Sequence, residues 1–318
     1  MEKTSSLKKV LINEKTSQFV LLFVFLSLVL FFSLFTISFF NANNFMNILR
    51  QSAVTGILAM AMTFVIISGG IDLSVGSILA FSGVILASIA KSGNPLWWMG
   101  MIAALACASL LGCVNGILIG KFKVVPFIQT LAMLAIGRGL TMLYADGRPI
   151  SDLSCGLTSI ARINFGLPVM AWIFIATIVI SFFILHYTVF GRSVYAVGGN
   201  EKAAVISGIN TTRVKIMVYT LSGFLCGISA ILLTSRVSSG LPRAGEGYEM
   251  DAIAAVVIGG ASLTGGRGNV WCTTIGILII SILSNGMDLM NINSYIQQII
   301  KGSIIVLAVL LDSVKNKN

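Results

Sequence analysis

Charge is what this chain has least of. Of 318 residues only 10% are Asp, Glu, Lys or Arg, against 56% hydrophobic, and the mean hydropathy is +0.96. Soluble chains carry about 25% charge, and a protein this apolar lacks the polar side chains to cover its own surface. A cytosolic enzyme, a nucleic-acid module and a disordered scaffold are excluded. Histidine occurs once, at His186, and no HExxH, no GxxxxGK[ST] and no strand-helix GxGxxG is present. The chain therefore has no P-loop of its own, and no metal or cofactor is expected. An intramembrane protease would need a Ser-His pair or two membrane aspartates in their contexts, and catalysis finds no constellation here. The five cysteines (Cys107, Cys113, Cys155, Cys226, Cys272) show no CxxC spacing. Cys107 and Cys113 lie about 240° apart round a helix. An odd, scattered set reads as small packing residues, not disulfides or ligands.

What is present is long apolar runs. A helical membrane span needs about 20 apolar residues. The uncharged run Phe19–Phe40 is too long for a cleavable signal core and no small-x-small site follows it, so it reads as a first span. Met1–Gln18 before it, with Lys3, Lys8, Lys9 and Lys15, reads as a cytoplasmic tail. Further spans are predicted at about 53–68, 76–90, 96–119, 125–144, 169–187, 214–235, 252–266, 270–288 and 296–311. The fold class is all-α: one polytopic membrane domain over 1–318, with about ten transmembrane helices. The runs at 53–68, 76–90 and 252–266 are short and flanked by paired glycines, which predicts broken helices near Gly69–Gly76 and Gly259–Gly266.

The net charge of +10 comes without a basic run or an aromatic-basic stripe, so nucleic acid is not its partner. With ten spans and the N-terminus inside, 13 Lys and Arg residues fall in cytoplasmic segments and six outside. That bias favours cytoplasmic N- and C-termini. Trp97, Trp98, Tyr144, Trp172 and Tyr295 then sit near the outer interface, where amphipathic aromatics prefer to lie. Asp72, Asn115, Arg138 and Lys301 fall in or beside apolar segments; charge at that depth is costly and faces partners or water. Asp72 and Ser74 can also cap the helix that follows them. Asp251 and Glu246 are expected in an outer loop.

Two repeats stand out. Gly69–Gly76 echoes Gly259–Gly266 at an offset of 190 residues, and transporters are often built from internal repeats with helix breaks at their interface. Ala104, Ala108, Gly112, Gly116 and Gly120 recur every four residues, and Gly223 with Gly227 adds a second small face. Such faces let helix backbones approach closely, in a bundle or a dimer. The longest inner loop, Phe190 to Lys215, carries the marks of a short helix: Asn200 as N-cap, Glu201 at the positive end and Gly208 as a stop.

The segments Gly69-Gly70-Ile71-Asp72-Leu73-Ser74-Val75-Gly76, Pro126-Phe127-Ile128-Gln129-Thr130-Leu131, Arg138-Gly139, Gly198-Gly199-Asn200-Glu201-Lys202-Ala203-Ala204 and Gly247–Gly260 occur in that order. Together they resemble the ribose-type permease subunit of bacterial ABC sugar importers, in the ribose and branched-chain amino-acid permease group. The likeness runs from about residue 45 to 311 and departs at Cys272, where a small glycine-like residue is expected.

The resemblance implies an inner-membrane permease that dimerises around the path. It would be served by a cytoplasmic ABC ATPase and an extracytoplasmic sugar-binding protein, and would carry a monosaccharide, ribose first. It makes 188–213 the coupling loop, with Gly199, Asn200, Glu201, Ala203, Ala204 and Gly208 as ATPase-coupling residues and both alanines against the ATPase groove. Asp72, Ser74, Asn115, Ser262 and Thr264 become candidates for the translocation path. Arg236, Arg243, Glu246 and Asp251 become candidates for docking the binding protein, as does the outer segment Gly147–Arg162. A self-sufficient secondary carrier or facilitator controlled by Asp72 or Lys301 is the alternative reading.

Overall fold

Helix follows the apolar runs almost wherever the sequence places them. The computed structural model describes residues 14–164 and 166–316. Its helices are α1 (Glu14–Phe35), α2 (Ala42–Ile67), α3 (Val75–Ile89), α4 (Trp97–Gly120), α5 (Pro126–Ala145), the short α6 (Cys155–Thr158), α7 (Val169–Tyr187), α8 (Val189–Gly199), α9 (Glu201–Ile206), α10 (Thr211–Val237), α11 (Tyr248–Ile258), α12 (Val270–Leu289) and α13 (Ser294–Asn316). The first thirteen residues of the expected tail lie outside the described residues, and residues 14–18 already belong to α1. A two-stranded antiparallel hairpin, β1 (Ile163–Asn164) with β2 (Leu167–Pro168), is small strand structure that the sequence did not announce.

Local chemistry sets the starts of these helices. Asn41, Asn210 and Asn269 each accept a backbone N–H of the first turn of α2, α10 and α12, satisfying donors that a helix leaves orphaned. Pro126 opens α5, where its missing N–H is of no consequence.

Packing is organised round α2, in which every residue from Ser52 to Ile67 is buried. A membrane helix polar on no face and apolar all round belongs inside a bundle, and α7, α10, α11 and α12 enclose it. The small-residue ladder of α4 is occupied within the chain. A Cβ at Gly116 would lie 2.7 Å from the Ile216 Cα and one at Gly120 2.9 Å from the Thr212 carbonyl oxygen, both on α10. Gly223 and Gly227 of α10 close against Ala108 of α4. Of the bundle and dimer readings, the structure supports the bundle. The five cysteines form no disulfide.

Six helices (α2, α4, α5, α7, α10 and α12) are long and apolar enough to cross a membrane among the described residues, and the apolar parts of α1, α3 and α13 are shorter. The chain is thus a polytopic all-α membrane protein. The run at 252–266 needs correction, because its helix, α11, stops at Ile258 after 11 residues. At 1.5 Å per residue that is about 16 Å, half the hydrocarbon core.

Candidate functional site

Both expected breaks exist, and both begin with the same cap. At the end of α2, Gly69 takes φ +82°, its N–H bonds Ile66 O at 2.9 Å and the Gly70 N–H bonds Val65 O at 3.0 Å. At the end of α11, Gly260 takes φ +84°, with Gly260 N–H to Val257 O at 2.9 Å and Ala261 N–H to Val256 O at 3.1 Å. This crossed pair is the Schellman closure, which needs a left-handed residue and so favours glycine. The caps correspond at an offset of 191, one residue from the sequence echo. Beyond them the segments diverge, since α3 starts at Val75 while α12 waits until Val270.

The first break is held by a buried polar network. Asp72 Oδ1 accepts the Ser74 N–H at 3.0 Å and the Ser74 hydroxyl at 2.5 Å. Its Oδ2 accepts the Ser222 hydroxyl of α10 at 2.9 Å. Asn115 of α4 donates to Ser74 Oγ at 2.9 Å, and Gln129 of α5 donates to Asn115 Oδ1 at 3.1 Å. Asp72, Ser74, Asn115 and Ser222 are fully buried. No basic side chain pairs with Asp72 among the described residues, so hydroxyl, amide and backbone donors alone compensate its burial. Asp72 closes an Asx turn ahead of α3 and ties the unwound backbone to α10, while Ser74 and Asn115 extend the network to α4 and α5. Of the path candidates, Asp72, Ser74 and Asn115 are therefore brought together, in the protein interior. Ser222 and Gln129 were missed, because single Ser and Gln residues in apolar helices carry no distinguishing spacing.

Ser262 and Thr264 lie in the second break, 259–269, apart from that network. Their hydroxyls are 2.9 Å from one another, Ser262 buried and Thr264 exposed. The Gly266 N–H donates to Ile67 O at 2.9 Å, so the two breaks touch. Cys272, the departure from the family pattern, has its carbonyl against this segment: a Cβ on Gly259 would lie 2.7 Å from it.

The loop 188–213 folds as two helices. In α9, Asn200 Oδ1 accepts the Ala203 N–H at 3.0 Å, and Gly208 ends the turn at φ +82°, as their residue types predict. Glu201 is clamped by Lys123 Nζ at 2.9 Å, from the turn after α4, and by Lys215 Nζ at 2.6 Å, from α10. Desolvation raises the Glu201 pKa, but the hydrogen bonds and charges of Lys215 and Lys123 outweigh it and hold the carboxyl down at about 2. A carboxylate depressed in this way stabilises the fold fully above the ordinary Glu range and loses that stabilisation progressively as pH falls from there through about 2. The clamp is whole at neutral pH.

One expectation about α9 is overturned. Ala204 is 3% exposed and packs into its own chain, so it does not face a partner. Ala203 is exposed, and beside it Val205 and Ile206 are 56% and 87% exposed. A six-residue helix is too short for periodicity to show which side is buried, and that is why the sequence missed Val205 and Ile206.

On the remaining surface, Arg236, Arg243 and Glu246 are exposed. Asp251 is paired with Lys301 of α13 at 3.0 Å and is largely covered. Arg138 donates to the carbonyl oxygens of Pro242 and Ala244 at 2.7 and 3.0 Å, pinning the α10–α11 connection to α5. No cluster of metal-ligating side chains occurs among the described residues.

Residues 44–309 match the sequence profile of the family described as branched-chain amino acid transport system / permease component. The ribose import permease protein RbsC of Bacillus subtilis is 48% identical over 309 residues, covering 96% of this chain and 94% of that protein. RbsC of Escherichia coli K12 is 45% identical over 286 residues, 87% of this chain and 88% of its own. The L-arabinose transport system permease protein AraH of the same organism is 37% identical over 301 residues, 94% and 92% of the two chains. No solved structure matches.

Proposed function

The chain belongs to the family of branched-chain amino acid transport permease components, and on that premise we propose that it is the membrane-spanning permease subunit of an ATP-driven importer of ribose. The choice of ribose rests on the relatives named as ribose import permeases. The ATP-driven part rests on one observation. A short helix between membrane spans, clamped at Glu201 by two lysines, holds the apolar side chains of Val205 and Ile206 out of the fold. Apolar side chains exposed on a rigid loop helix fit a partner's groove.

In this reading residues 1–318 form one permease domain in the bacterial inner membrane, with about ten membrane segments counting the broken ones. The N- and C-termini are cytoplasmic, and two copies pair around the path. The coupling helix is α9, capped by Asn200, entered at Gly199 and closed by Gly208. It presents Ala203, Val205 and Ile206 to a cytoplasmic ATPase, while Ala204 and Glu201 anchor it to the permease. An extracytoplasmic sugar-binding protein docks at Arg236, Arg243 and Glu246, with the Asp251–Lys301 pair bracing the surface from behind. The breaks border the path, Ser262 and Thr264 at the second and the Asp72–Ser74–Asn115 network at the first. ATP hydrolysis by the partner moves α9, and alternating access follows as the breaks shift.

Purification of the chain from its native membrane in mild detergent, with partners identified by mass spectrometry, tests the assembly. A P-loop ATPase in stoichiometric amount is the expected result. A stable complex without one, taken from membranes active in ribose uptake, would refute it.

A further inference from the structure

The coupling arm meets both helix breaks at a single place, built from five glycines and the Ile67 carbonyl. Gly198 and Gly199 end α8, Gly69 caps α2, and Gly265 and Gly266 lie in the second break. A Cβ on Gly198 would run into the Ile67 carbonyl oxygen and come within 2.7 Å of Gly266 N. One on Gly265 would lie 2.7 Å from Gly198 O and 2.8 Å from Gly69 Cα, and one on Gly266 2.7 Å from Gly199 Cα. Three chain segments therefore touch backbone to backbone, with no side chain between them. A second bond ties the same parts: the Tyr195 hydroxyl, one turn back on α8, donates to Gly268 O at 2.8 Å. The Gly266 N–H to Ile67 O bond, 2.9 Å, links the two breaks.

We infer that this glycine junction, with Tyr195 as its tether, is the positioning element that carries displacement of the coupling arm into both breaks at once. The inference rests on α9 being the coupling helix. Side chains in a contact can absorb a shift by changing rotamer, whereas touching backbones have no such slack, so small movements of a packed junction are passed on. The lysine clamp on Glu201 gives α9 its other attachment, to α10 and the α4–α5 turn, and neither of those elements contains a break. Tyr195 and Gly198 are thus assigned a role in coupling efficiency, not in assembly or ATP hydrolysis.

The test is the ratio of ribose imported to ATP hydrolysed, measured on the assembled permease–ATPase complex with its binding protein in proteoliposomes. Tyr195→Phe removes one hydrogen bond and keeps the ring. It is expected to assemble and to hydrolyse ATP as the wild type does, with the transport ratio lowered roughly fivefold, the effect of one ordinary hydrogen bond. Gly198→Ala, in whatever fraction assembles, lowers the ratio further. Gly276→Ala is the steric control: its Cβ would strike the Ala255 carbonyl oxygen, where α12 crosses α11 away from the junction. It is expected to reduce the amount of complex and leave the ratio unchanged.

A wild-type ratio in Tyr195→Phe would overturn the inference, as would a Gly276→Ala ratio as low as that of Gly198→Ala. If the wild-type complex itself imports no ribose on ATP, the coupling-helix reading fails instead, and the two failures are distinguishable.

Discussion

Replacing Ala203 and Ile206 together by Asp is expected to abolish ATP-driven uptake while leaving the permease folded in the membrane. Both positions are exposed, Ile206 at 87%, and exposed substitutions ordinarily change stability by no more than about 0.5 kcal/mol. Ala203 lies in the first turn of α9, where an added carboxylate is tolerated by the helix dipole. In a docked complex the same two carboxylates would be taken out of water without partners, and each such burial costs several kcal/mol. Ribose uptake falls to background, with an unchanged elution profile for the isolated permease. The contrasting variant is Ala204→Asp, which buries the charge inside the protomer and lowers the yield of folded protein instead. Normal uptake in the Ala203→Asp, Ile206→Asp variant would remove α9 from the ATPase interface.

Asp72 is expected to behave as a structural knot. Asp72→Ala leaves the Ser74 N–H, the Ser74 hydroxyl and the Ser222 hydroxyl without their acceptor in a fully buried setting. Each buried donor left unsatisfied costs about 1–3 kcal/mol, so the destabilisation is on the order of 3 kcal/mol or more. It is read as a large loss of thermal stability in detergent. Asp72→Asn keeps the shape and the Oδ1 acceptor, and its amide donates to Ser222 Oγ, which turns from donor to acceptor. The Asn variant therefore retains most of the stability and of the ATP-driven uptake. A carrier driven by an ion through Asp72 gives the opposite pattern: Asp72→Asn folds normally and does not transport.

Much of this was legible in the sequence, because hydropathy and capping are local. The apolar runs form helices, and the residue types of Asn200 and Gly208 suffice to delimit α9. Where the structure departs from the sequence pattern, the deciding feature is either the conformation of one cap residue or a contact between residues distant in sequence. The run 252–266 continues without charge past Ile258, but its glycines do not favour helix, and the end is set by the cap at Gly260. Paired glycines do not reveal which of the two takes the left-handed turn, which shifted the echo by one residue. The Asp251–Lys301 pair joins positions 50 residues apart. The sequence placed one partner in a loop and the other in a span, with nothing to pair them. The ladder in α4 was plain, but its partner, α10 of the same chain, was visible only in three dimensions.

The central claim is that this permease moves ribose on a partner's ATP. Its most direct measurement is accumulation of labelled ribose in proteoliposomes holding the purified chain, with the ATPase, the binding protein and ATP each supplied or withheld. Uptake only when all three are supplied is the result this account expects. Ribose accumulated by the chain alone, on an ion gradient and without ATPase, would contradict it.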